Sequence, residues 1–297
     1  MAEALGGYRF LPAQLAERLR GVDISVHRPM DGAHQGLHKS SAFGSSVEFA
    51  EYREYMPGDP IQRIDWPVYA RSDRYVIRQY HEDVSIRCTI LLDTSESMGY
   101  QEDGMLSKMD YACYLAAGMM YLMVQQGDMV SLITFGEKVG DYYEPTSSFR
   151  GLRPMLRGLE AVAPKGKSDI EGAMHESAEL IPGKALVVVI SDFLEGPSGI
   201  LRGVHHFNHQ GKELTLFHVL DPAELQLPQS GLVEVAALEG GGKLSIDLGE
   251  VREAYLGQVR GYLDELRDGC MSVRAGYLPA RTDREVFEVL LDRSRLI

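Results

Sequence analysis

The sequence predicts an α/β fold in which a mostly parallel, Rossmann-like sheet is flanked by helices and follows an N-terminal β-rich segment. Near-continuous apolar runs, typical of strands covered on both faces, mark the sheet. Helical stretches separate these runs, and such alternation favours parallel strands with right-handed crossovers. The apolar runs are 88–95, 129–136, 185–193 and 213–221, and the helical stretches are 107–126, 149–161, 168–181 and 197–210.

The N-terminal segment, residues 1–84, is predicted to be a β-rich unit, and residues 85–297 the sheet domain. Apolar and polar residues alternate from Val47 and again from Tyr75, which is the period of a half-buried strand. The "MPGD" stretch between them is a turn. The remaining predicted elements are a helix at 9–20, an antiparallel edge strand in "KVGDYYEPTS", a hairpin within about 226–250, a helix at 251–268, a strand at 271–278 and a helix at 283–294.

The overall composition restricts the possible partners and compartment. The 297 residues carry a net charge of −13, which argues against broad binding to the phosphate backbone of nucleic acids. Three scattered cysteines without C-x-x-C spacing indicate neither a disulfide framework nor a zinc site. No apolar run has membrane-spanning length, and the first residues lack the apolar core of a signal peptide. The sequence therefore predicts a cytoplasmic protein without membrane insertion.

Polar oxygen donors follow the predicted strands at the edge where parallel strands end. Asp93, Ser95 and Ser97 follow the first strand, Asp192 ends "VVVISD", and Ser168 opens a helix after "KGK". Ligands bind at this edge of open α/β sheets, where the strand order reverses. Carboxylate, hydroxyl and water oxygens are the ligands that Mg²⁺ prefers. The alternative is a helix N-cap with turn residues, because Ser and Asp also favour that position. Asp221, before Pro222, is predicted to be a turn residue.

This pattern resembles the metal-ion-dependent adhesion site of von Willebrand factor A domains. The matching positions are Asp93, Ser95 and Ser97 in "DTSES", Ser168 in "GKSDI" and Asp192 in "ISD". The resemblance implies a von Willebrand factor A-like fold and a non-catalytic site for Mg²⁺ or Mn²⁺. In such a site, an acidic residue of a partner protein completes the metal coordination.

The segment 47–80 resembles a bacterial family known as domain of unknown function 58. Its motif Y-x-x-G-D-x-x-R-x-I-D-W-x-x-x-A-R is matched between Tyr55 and Arg71 at every position except its first arginine, where Gln62 stands and Arg63 follows. The resemblance runs from about residue 20 to the end of the chain. Family members are commonly encoded beside a MoxR-type AAA+ ATPase. The resemblance therefore implies that such an ATPase is the partner of this protein in protein maturation or assembly.

Two departures from the family pattern bear on metal affinity. Ser168 stands where threonine is usual, which keeps the oxygen but loses the methyl group that restricts the side chain. Lys165 and Lys167 flank it, and each positive charge near a divalent ion costs on the order of 1 kcal/mol in a wet site. The metal is therefore expected to bind weakly, or else the lysines receive an acidic group of the partner.

Three functions are compatible with these residues. A non-catalytic protein-interaction module explains most of the residues. A scaffold with a metal-free, degenerate site is the alternative. A Mg²⁺-dependent hydrolase is less favoured, because Ser95 stands where a D-x-D phosphatase has its general acid. The sequence also contains no Walker-type phosphate loop, no G-x-S-x-G and no G-x-G-x-x-G. We therefore expect no catalytic residues.

Overall fold

The structure is a computed structural model that describes residues 7–22, 47–56, 58–59, 61–82, 86–102, 104–227, 232–236 and 243–294. They divide into two compact units: Arg28–Ser85 forms the small unit, and Met1–His27 with Ile86–Ile297 forms the large unit. In the small unit, β3 (Val47–Glu54) pairs antiparallel with β4 (Val76–Glu82), and α2 (Trp66–Ser72) lies between them in sequence.

Residues 7–22 belong to the large unit. They form β1 (Gly7–Tyr8), β2 (Leu11–Pro12) and the short helix α1 (Ala13–Arg18). Leu11 and Leu19 are fully buried in the same apolar cluster as the main sheet. The predicted division at residue 84 falls beside the boundary at Ser85, but residues 7–22 do not belong to the β-rich unit. Their apolar side chains are buried in the core of the large unit, where Phe10, Leu11 and Leu19 are at most 3% exposed.

A six-stranded sheet forms the centre of the large unit, in the order β12-β9-β8-β5-β6-β7. Five strands are parallel, and β7 pairs antiparallel with β6 at the edge. The predicted mostly parallel sheet is thus confirmed. Its strands are β5 (Arg87–Asp93), β6 (Met129–Phe135), β7 (Val139–Thr146), β8 (Leu186–Ser191), β9 (Glu213–Leu220) and β12 (Gly276–Arg281).

Helices cover both faces of this sheet. The helices are α3 (Lys108–Gln125), α4 (Phe149–Ala161), α5 (Ile170–Leu180), α6 (Pro197–His209), α7 (Pro222–Gln226), α8 (Leu248–Ser272) and α9 (Val286–Ser294). Ile90 and Leu92 face the cluster that contains α3, α4 and α9, whereas Leu91 faces the cluster that contains α5, α6 and α8. This alternation along one strand follows from the two-residue repeat of β structure. Helix α3 is buried on nearly all sides, as expected of a helix inside a large core.

The C-terminal third differs from the prediction in detail. The strands β10 (Leu232–Ala236) and β11 (Lys243–Asp247) pair antiparallel. Helix α8 continues to Ser272, so the strand predicted at 271–278 begins only at Gly276. The helix extends because Cys270 is buried in the core, and the chain turns at Arg274, whose φ is +59°. Helices α2 and α7 were missed, since both are short and lack a clear apolar repeat.

Two further expectations concern cysteines and membranes. Cys88, Cys113 and Cys270 are all buried and unpaired, which agrees with the predicted absence of a disulfide framework. Among the described helices, none is both long and apolar enough to span a bilayer.

Candidate functional site

The candidate site lies where the direction of the sheet changes. The chain runs from β5 outward to β6 and β7, then returns to β8 and continues outward to β9 and β12. The connections that follow the adjacent strands β5 and β8 therefore run in opposite directions along the sheet, which opens a crevice at the carboxyl ends of these strands. Asp93 is the last residue of β5, and Ser191 is the last residue of β8, directly before Asp192.

Hydroxyl groups from three separate segments converge on Asp93. Its Oδ2 atom accepts hydrogen bonds from Ser191 Oγ at 2.6 Å and from Ser168 Oγ at 3.3 Å. Its Oδ1 atom accepts from the backbone N–H of Ser95 at 2.9 Å, and the Oγ atoms of Ser95 and Ser97 are 3.1 Å apart. The structure therefore brings together four of the five predicted site residues, which are Asp93, Ser95, Ser97 and Ser168. The contribution of Ser191 was not predicted.

Backbone hydrogen bonds hold the two loops of the site together. The N–H of Glu96 donates to the carbonyl of Gly166 at 2.8 Å, and the N–H of Lys165 donates to the carbonyl of Thr94 at 2.9 Å. Gly166 adopts a φ of +69°, which a side chain would disfavour. This pairing places Ser168 beside Asp93. Lys165 and Lys167 are exposed and form no ion pair within the described part of the chain.

The Asp93 carboxylate is buried without an ion-pair partner among the described residues. It is fully buried, and burial raises its pKa to about 6, with the charge of Asp192 adding to the rise and the hydrogen bond from Ser191 opposing it. No lysine, arginine or histidine of the described segments forms a salt bridge with it. Its partners are hydroxyl groups and an amide. A buried carboxylate in this condition favours either a proton or a bound cation.

Asp192, in contrast, is already paired. Lys108 Nζ lies 2.7 Å from Asp192 Oδ2 and 2.8 Å from Glu224 Oε1. The Lys108 side chain is 1% exposed. Burial alone lowers the pKa of Lys108, but the charges of Asp192 and Glu224 outweigh this effect, so its pKa is raised. Asp192 thus lies beside the serine cluster as an ion-paired carboxylate.

Sequence reasoning missed Lys108, although one signal was present. Lys108 is the first residue of α3, directly after the N-cap Ser107. The positive end of the helix dipole disfavours a cation there. A lysine at this position therefore indicates a nearby anion. Its two partners are 84 and 116 residues away in sequence, so no local pattern identifies them.

Asp221 and Glu195 have structural roles beside the site. Asp221 caps α7, accepting from the N–H of Ala223 at 2.9 Å, while Glu224 Oε2 accepts from the N–H of Asp221 at 2.9 Å. The predicted turn residue is therefore a helix cap that also orients Glu224. Glu195 accepts from the N–H of Ile170 at the start of α5 at 2.8 Å. Burial raises the pKa of Glu195, and Ser168 hydrogen-bonds to it.

An aromatic cluster supports the loop after Asp192. Phe193 is fully buried with a φ of +49°, a left-handed conformation that is uncommon for a bulky residue. The Tyr262 hydroxyl on α8 donates to the carbonyls of Phe193 and Glu195. His218 is 1% exposed, and its Nδ1 atom lies 2.6 Å from the Tyr277 hydroxyl. These contacts fix the backbone that carries Asp192.

His218 gives the stability of the large unit a pH dependence that can be measured. Burial lowers the pKa of His218 from 6.5 to about 4. Between pH 6.5 and 5 the unfolded state takes up a proton that the folded state does not, so stability falls by about 2 kcal/mol. The raised pKa of Asp93 acts in the opposite direction, because the folded state gains protons as the pH falls through about 6. The effect of His218 is therefore measured as a difference between two proteins that both contain Asp93, so that the contribution of Asp93 to the pH dependence cancels.

We expect the stability advantage of wild type over His218→Gln to shrink by about 2 kcal/mol between pH 6.5 and 5. Urea unfolding followed by far-UV circular dichroism, in EDTA, measures it at each pH. A difference that stays constant over this range would contradict the burial of a neutral imidazole.

The strand order, the antiparallel edge strand and the oxygen-rich crevice at the switch point define an α/β protein with a mostly parallel sheet, as the predicted von Willebrand factor A-like fold requires. The chain belongs to the family described as "Protein of unknown function DUF58", whose model matches residues 51–262. The predicted family is thereby confirmed.

Similar proteins include relatives and solved structures. The uncharacterized protein Rv1480 of Mycobacterium tuberculosis is 26% identical over 278 residues, covering 92% of this chain and 86% of that protein. The conserved hypothetical protein BatB from Bacteroides thetaiotaomicron is 18% identical, with a TM-score of 0.49, covering 71% of this chain and 98% of that one. The SpRpn10 VWA domain is 11% identical, with a TM-score of 0.42, covering 72% and 97%.

Proposed function

We propose that the large unit is a protein-interaction module that binds a partner through a divalent cation at the Asp93 crevice. The observation that carries this proposal is the buried Asp93 carboxylate, which is surrounded by serine hydroxyls and lacks a cationic partner among the described residues. A cation would neutralise this charge. The proposed ligand positions are Asp93, Ser95, Ser97, Ser168 and Asp192.

The donor set fits Mg²⁺ or Mn²⁺ better than a softer metal. The converging atoms are carboxylate and hydroxyl oxygens, which suit hard cations that keep several waters. In the described segments, no group of three or more His, Cys, Asp or Glu residues is placed to hold a metal ion. The protein therefore supplies few charged ligands. A carboxylate from another protein would complete such a site.

The partner that we propose is a MoxR-type AAA+ ATPase, and the shared task is maturation or assembly of other proteins. Support comes from membership of the family, which the sequence motif between Tyr55 and Arg71 had indicated. A metal-free scaffold is the second candidate function. The specific observation in its favour is that Lys108 already neutralises Asp192.

Metal titration tests the proposed site directly. Calorimetric titration of Mg²⁺ or Mn²⁺ should give one binding event in wild type, weakened at least tenfold in Asp93→Ala, because the charged ligand is lost. Glu96→Ala removes an exposed carboxylate from the same "DTSES" loop and should change the affinity less than about twofold. Equal and null heats for all three proteins would favour the metal-free scaffold as the function of the wild-type protein.

Partner capture tests the second half of the proposal. The purified protein should retain a MoxR-type ATPase in Mg²⁺ and release it in EDTA, and Asp93→Ala should not retain it. Retention that is unchanged by EDTA would exclude the metal-dependent mechanism.

A further inference from the structure

Lys108 is a buried cation inside the candidate metal site. Its ammonium group contacts Asp192 at 2.7 Å and Glu224 at 2.8 Å, and the Tyr100 ring centroid lies 5.7 Å away. We propose that Lys108 determines how tightly this site binds a divalent cation, because its ammonium group holds Asp192 in the metal-free protein and the metal ion must displace it. This inference rests on the proposed function of the site.

The position of the ammonium group is fixed from two sides. Lys108 begins α3, and its N–H donates to the carbonyl of Tyr100 at 3.0 Å. Glu224 is held in the capping box of α7, and its carbonyl accepts from the Tyr255 hydroxyl on α8 at 2.9 Å. The ammonium group is therefore held in place before any ligand binds. It acts as an internal competitor for Asp192 whose effective concentration does not depend on dilution.

Glu224 controls the strength of this competition. It shares the ammonium group with Asp192, and its side chain is 22% exposed, so it remains partly hydrated. When a metal ion takes Asp192, Lys108 keeps Glu224 as its partner and is not left buried without an anion. Loss of the Glu224 charge would leave Lys108 dependent on Asp192 alone. Lys108 and Glu224 should therefore affect metal affinity in opposite directions.

Two substitutions of matched size separate these effects. Lys108→Met keeps the length of the side chain, removes the charge and frees Asp192, so Mg²⁺ should bind at least tenfold more tightly than in wild type. Glu224→Gln keeps an acceptor for the N–H of Asp221 but removes the second charged partner of Lys108. The ion pair between Lys108 and Asp192 should then be stronger, so Mg²⁺ should bind severalfold more weakly. Glu96→Gln removes one exposed negative charge from the same site and is the control for a general charge effect.

The measurement is calorimetric titration of Mg²⁺ alone, together with the rise in Tm that Mg²⁺ produces in each protein. Lys108→Met should show a larger rise in Tm than wild type. Tighter binding by Lys108→Met, even where wild type binds too weakly to detect, supports the inference. If wild type binds Mg²⁺ and Lys108→Met binds equally or less tightly, the inference is overturned while the metal site stands.

Other outcomes are equally decisive. If no protein in the series binds Mg²⁺, both the inference and the proposed function fail. If Lys108→Met does not fold, Glu224→Gln decides the question, because an affinity equal to that of Glu96→Gln overturns the inference.

Discussion

Lys108→Met should lose about 3–5 kcal/mol of unfolding free energy in the absence of metal, which makes it the most destabilising single change at the site. The reason is that Asp192 would remain buried beside Asp93 with no cation. Asp192→Asn should lose about 3 kcal/mol, since Lys108 would keep only Glu224 as a charged partner. The double variant should lose less than the sum of the single losses, because neither charge is then left unpaired.

The double-mutant cycle is measured by urea unfolding in EDTA, followed by hydrogen exchange of the β5 and β8 amides. Trp66, the single tryptophan, lies in the small unit, whereas the β5 and β8 amides belong to the large unit that holds this pair. Asp264→Asn breaks an ion pair with Arg267 that is exposed on α8 and should change stability by less than about 1 kcal/mol. Losses that add up in the double variant would show that Lys108 and Asp192 do not stabilise each other.

Leu19→Ala should destabilise the large unit by about 3 kcal/mol, the loss typical of a large-to-small change in a core. Leu19 is fully buried and packs against Gly118 of α3. A Cβ atom added to Gly118 would lie 3.5 Å from a methyl carbon of Leu19. Leu180→Ala is the matched control, because Leu180 is 42% exposed on α5 and should lose about 1 kcal/mol or less.

Urea unfolding followed by far-UV circular dichroism compares these two variants with wild type. The result also tests the assignment of residues 7–22 to the large unit. Equal losses for Leu19→Ala and Leu180→Ala would mean that the N-terminal helix does not contribute to that core.

The strands and helices of the sheet domain were predictable because their signals are local. Uninterrupted apolar runs such as "LVVVIS" indicate strands buried on both faces, and β8 occupies Leu186–Ser191. Helices α4 and α6 have the predicted bounds within one residue, since their apolar residues recur at helical spacing. Where the local signal was weak, as at the end of α8 and in α7, tertiary burial and capping decided the structure.

The sequence by itself placed Asp93, Ser95, Ser97, Ser168 and Asp192 at the carboxyl ends of the strands, because the order of strands and loops assigns them to that edge, but it did not single out Ser191. Only the tertiary structure decided which of the two carboxylates is already neutralised. Lys108 reaches Asp192 and Glu224 across 84 and 116 residues of chain. Charge compensation depends on distance in space and on the exclusion of water, and the fold alone sets both.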